Sequence, residues 1–148
     1  MAAIARTATA IAAELGDPGT LLLADGGDFP HAVVAGAAAV VAGDSDFDQT
    51  GNVGAAVLLT DGATVPPETR AYLDGRTDTP EVVPIGSPAA EAFPEEEDAI
   101  VGGDAYEVSA NVAAAFFDGP SAIGVATGAN FADALTGGSV GGRPDVGP

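Results

Sequence analysis

Three short apolar runs restrict the folds open to this chain: residues 20–24 (TLLLA), 56–60 (AVLLT) and 81–85 (EVVPI). Each is too apolar to leave one face of a strand in water, so each predicts a strand covered on both sides. Helical patterns separate them, at residues 30–41, 67–73 and, briefly, 89–93. Further helices are expected at residues 2–15 and 106–117, strands at 99–101 and 122–126, and a last helix at 131–140. Strands alternating with helices predict an α/β unit, a mainly parallel sheet with helices on both faces. Pro30 and Pro67 stand at helix starts, where a missing N–H costs nothing. Pro84 lies inside a strand pattern and removes a ladder donor, which marks an edge strand or a strand end.

Charge narrows the function classes. The chain holds 22 acidic residues against four arginines and no lysine, a formal net charge of −18. Nucleic acid needs a basic footprint, and none is present. An anionic membrane surface is repelled for the same reason, and no apolar stretch is long enough to cross a bilayer. So acidic and lysine-free a composition fits a protein of a halophile, where self-repulsion is screened within roughly 3 Å at 1 M salt. The absence of cysteine excludes disulfides and thiolate metal sites. The Ala-rich N-terminus is broken by Arg6, Thr7, Thr9 and Glu14, so it reads as a helix of the fold and shows no signal peptide.

One phrase occurs twice. Residues 24–36 read ADGGDFPHAVVAG and residues 126–138 read ATGANFADALTGG, 102 positions apart. The same shift, without gaps, pairs Ala8 with Ala110, Ala12 with Ala114, Pro18 with Pro120, Phe29 with Phe131 and Gly36 with Gly138. One register through helix, turn, strand, turn and helix predicts a repeat of about a hundred residues. On this reading residues 1–19 end a preceding repeat, 20–119 form a full one, and 120–148 begin the next.

These residues resemble the cell wall-binding repeat 2 family. GDFPHAVVAGAAA and ANFADALTGGSV look like its N-F-P-D-A-L turn and helix, AVLLTDGATVPPETRAYL like its strand and following helix, and EVVPIGSPAAEAF like its next strand. AIVGGDAYEVSANVAAAF is similar to its G-a-D-R-Y segment. The resemblance implies a Rossmann-like or toprim-like unit, an extracellular location on the cell envelope, and non-covalent hold on an envelope polysaccharide or glycoprotein, with neighbouring repeats or copies of itself as further partners. It implies no cofactor and no catalysis. The family's arginines near G-a-D-R-Y are Ala99 and Ala105 here, its second glycine is Ser87, and its first-turn Asp is His31. Those losses remove the natural fork for a polyanion.

The turns carry the candidate ligand contacts: Asp28, His31, Asn130 and Asp133. A glycine turn ahead of a helix start can hold an anion, but Asp25, Asp28 and Asp133 would repel one and suit helix capping instead. Phe29 and Phe131 are expected to plug the core beneath their turns. His31, in a first helical turn, is expected exposed or hydrogen-bonded to a nearby carboxylate. It has no relay partner of a catalytic motif. Asp44, Asp46 and Asp48, followed by Thr50 and Asn52, alternate like the start of a calcium loop, without the glycine at the sixth position or the closing Glu. The acidic run 94–98 reads as a solvated linker.

Envelope anchoring is the favoured function. A Rossmann-like nucleotide- or sugar-binding enzyme and a structural self-assembling repeat are the alternatives. The charge makes one prediction for any of them. Thermal melts followed by circular dichroism in dilute buffer and in molar salt should show a higher Tm in salt; equal values would remove the charge argument.

Overall fold

The computed structural model describes residues 2–44 and 54–135. Three parallel strands form the sheet: β1 (Thr20–Asp25), β2 (Ala55–Thr60) and β3 (Glu81–Ile85), in the order β2-β1-β3. Thr20 stands opposite both Ala55 and Glu81, so β1 is paired along both edges. The helices are α1 (Ala2–Glu14), α2 (Phe29–Asp44), α3 (Pro67–Asp74), α4 (Ser87–Ala92) and α5 (Ala105–Phe116).

Both faces of the sheet are covered, as the apolar runs require. Leu22 and Ala24 of β1 point to one face, where Val83, Ile85, Ala35 and Ala38 meet Val108 and Val112 of α5. Leu21 and Leu23 point to the other, with Ala56, Leu58, Ala89, Phe93 and Ala12 of α1. Thus α2 and α5 form one outer layer, and α1, α3 and α4 contribute to the other. Residues Leu21 to Ala24 are wholly buried.

Pro84 is accommodated as its chemistry demands. β3 is an outer strand, and the Pro84 carbonyl points away from β1 to accept from the Ile100 amide at 2.8 Å. The missing N–H therefore falls on the outer edge rather than in a central ladder. The strand expected at 99–101 is reduced to a single parallel bridge between Ile85 and Ile100. With no donor on Pro84 and α5 beginning at Ala105, there is little chain left to extend the pairing.

Residues 122–126 are not a strand. They are irregular and exposed, with Ile123 at 81% and Val125 at 95% of full exposure. Both edges of β1 are occupied and Ile100 sits on the edge of β3, and this apolar run pairs with no described strand, although the outer edge of β2 carries no described partner. Residues 131–135 are helical, as expected; the remainder of that expected helix lies outside the described residues.

One arginine ties the α1 layer together. α1 ends with Gly16 at φ +85° and Asp17 at φ +58°, with Gly16 N donating to Ala13 O and Asp17 N to Ala12 O, a Schellman-type stop. Arg76 closes over it, donating to Asp17 O at 2.9 Å, to the Tyr72 hydroxyl at 3.1 Å and to the Asp78 carboxylate. Its side chain is only 3% exposed. The guanidinium holds the Asp78 carboxyl below its ordinary range, chiefly by hydrogen bonding. A lysine ammonium cannot serve these spread acceptors from one planar fork. Arg76→Lys should therefore destabilise the fold by about 1–2 kcal/mol, read from the urea midpoint at unchanged m.

Candidate functional site

The two copies of the doubled phrase build the same local turn. In the first, Asp25 Oδ1 accepts from the Gly27 amide at 2.9 Å. In the second, Thr127 Oγ1 accepts from the Ala129 amide at 3.2 Å, the same bond 102 positions on. Helix then begins at Phe29 and at Phe131. Asn130 Oδ1 accepts from the Ala132 amide at 3.2 Å, an N-cap contact of the kind expected of this position.

Asp25 does more than its counterpart. Its Oδ1 also accepts from the Gly62 amide at 2.9 Å, while Gly26 N donates to Thr60 O at 3.0 Å. Asp25 thereby joins the turn after β1 to the turn after β2. The sequence pattern predicts a helix cap at Asp25; its bonds instead brace two loops at the C-terminal edge of the sheet.

Phe29 and Phe131 do not plug a core. They are 37% and 55% exposed, and they meet each other, ring centroids 6.1 Å apart and edge to face. Residues 122–126 stay out of the sheet, and among the described residues no second core forms beneath Phe131. The ring contact brings the two helix starts side by side. Beside it runs an apolar groove of about 380 Å³, walled by Val33 and Ala37 of α2, Tyr106 and Ala113 of α5, and Val125. This groove is not legible in the sequence, since it forms only when α5 packs across α2. Tyr106 stands 68% exposed on α5, away from the buried Val108–Val112 face, and no local pattern marks it as a groove wall.

Of the four expected contacts, Asp28, Asn130 and Asp133 are exposed, and His31 is buried at 8% exposure. The expectation of an exposed His31 is thus overturned. Its ring lies on Gly86 at the end of β3, where an added Cβ would come within 2.9 Å of it. Gly86 has φ +85°, so glycine serves both the backbone and the ring above it. The nearby carboxylate is present but not bonded: Asp28 Oδ2 is 3.7 Å from His31 Nδ1, and that nitrogen is buried without a hydrogen-bond partner. The environment of the turns is acidic, and the arginines described, Arg6, Arg70 and Arg76, lie on α1, α3 and the loop after it, on the far layer.

Of the calcium candidates, Asp44 closes α2, while Asp46 and Asp48 lie outside the described residues. Among the described residues no group of three or more His, Asp or Glu side chains is placed to hold a metal ion. No described helix is long and apolar enough to cross a membrane.

The packing of His31 on Gly86 can be checked directly. Gly86→Ala should cost about 1–3 kcal/mol from backbone strain alone, and more with the ring in place. In a His31→Ala background the same change should cost less, with a coupling of about 0.5–3 kcal/mol in a urea double-mutant cycle. Equal costs in both backgrounds would show that the ring does not press on residue 86.

No curated protein matches the chain, and no solved structure does. A family model does match, over α5, the irregular run 122–127 and the second copy of the doubled phrase. The resemblance read from the motifs is met there: residues 99–147 match the family of cell wall binding domain 2 (CWB2).

Proposed function

We propose that the chain is a non-catalytic module that binds the cell envelope from outside the cell. The match of residues 99–147 to a cell wall binding family carries this reading. The paired helix starts at Phe29 and Phe131 supply a surface for it, with Asp28, Asn130 and Asp133 exposed at their heads. Carboxylates accept from sugar hydroxyls and repel polyanions, while a carboxamide both accepts from and donates to hydroxyls. The ligand is therefore a hydroxyl-rich envelope polysaccharide, or the glycan of an envelope glycoprotein, rather than a phosphate-rich polymer. His31 acts behind this surface by holding the first turn on Gly86.

The chain should sediment with purified envelope from a halophile in molar salt. Asp28→Asn and Asp133→Asn together, which leave the Asn130 cap in place, should weaken retention by about tenfold or more, a loss of about 1.4 kcal/mol, with the melting curve little changed. A folded wild-type chain left in the supernatant would overturn the reading.

A further inference from the structure

One buried nitrogen in the first turn has no bond to account for it. His31 is 8% exposed, and its Nδ1 is buried without a hydrogen-bond partner. A buried polar atom left unmet calls for a specific explanation. The ring is seated on Gly86, at φ +85°, where a Cβ would come within 2.9 Å of Nδ1, Cγ and Cε1. That seat fixes the ring with Nδ1 3.7 Å from Asp28 Oδ2. Asp28 immediately precedes α2 and His31 lies in its first turn, three residues on, so the two share a face.

The separation discriminates between the ways such a pair can be joined. A direct hydrogen bond would close to about 2.9 Å. A water bridging the two at tetrahedral angles would hold them about 4.6 Å apart. A nitrogen and an oxygen on one tetrahedral metal ion, each bonded at about 2.1 Å, stand about 3.4 Å apart. The observed 3.7 Å lies nearest the last.

We propose that Asp28 and His31 form a two-point clip for a divalent metal ion of the zinc class, held by Asp28 Oδ2 and His31 Nδ1. Imidazole beside carboxylate suits zinc, copper or nickel, whereas magnesium and calcium prefer oxygen ligands throughout. Water completes the shell from the outer side, where the Asp28 side chain is 51% exposed. The positive end of α2 opposes a cation with about half a charge, and the full charges of Asp25 and Asp28 in the same turn exceed it. The second turn carries no such clip. Asn130 and Asp133 stand at these positions, and Asn130 Oδ1 already accepts from the Ala132 amide. The inference does not depend on envelope binding and stands or falls separately from it.

The chain has one histidine and no cysteine, so one set of imidazole C–H resonances reports the site without ambiguity. The 148-residue protein is titrated with zinc nitrate in molar sodium nitrate, which screens diffuse attraction to the 22 acidic residues. The His31 resonances should shift and level off at one equivalent of zinc, while magnesium at the same concentrations leaves them in place. In Asp28→Asn, which keeps a good N-cap residue, zinc affinity should fall at least about tenfold. Asp28→Ser also preserves a cap, and the same loss is expected there should the first variant not fold. Resonances that zinc leaves unmoved would overturn the proposal, and so would an equal response to magnesium. Zinc affinity equal to wild type in a folded Asp28 variant would overturn it too, since the imidazole would then bind alone.

Discussion

Everything in this molecule follows from the need to dry β1 completely. Leu21 to Ala24 have no exposure, and the strand is paired on both edges and packed on both faces. A strand in that position forces helices onto both sides, and so fixes α1 on one layer and α2 with α5 on the other. It also gathers the ends of all three strands at one edge. There Asp25 can reach the Gly62 amide and His31 can settle on Gly86.

The charge distribution gives the two layers different characters. The described arginines hold the α1 layer: Arg6 bonds Glu68, Arg70 lies over the Phe93 ring, and Arg76 clasps the end of α1. The face carrying α2, α5 and the paired turns is apolar in its groove and acidic at its rim. Three of the four arginines thus serve the fold itself.

The elements were legible to within three residues wherever local pattern and tertiary need agreed, the end of α2 being the widest departure. β3 stands at its expected limits, and the Pro84 misfit located the outer edge correctly. The turn chemistry was legible as well, since Asn130 caps and the two turns share a bond. The failures share one cause. Residues 122–126 have the composition of a strand, but a strand exists only with a partner. Phe131 has the position of a core plug, but no core lies beneath it. His31 was placed by its helical turn alone, and its burial depends on a glycine 55 positions later in the chain.

The sequence by itself determined the α/β class, the order of elements, the doubled turn and the acidic surface, because these rest on periodicity, local hydrogen bonding and composition. The tertiary structure alone decided which strands pair, which helix faces are covered, and that the two phenylalanines meet. Those outcomes depend on contacts between residues far apart in the chain. An apolar pattern states that a face must be buried, and only the assembled fold states against what.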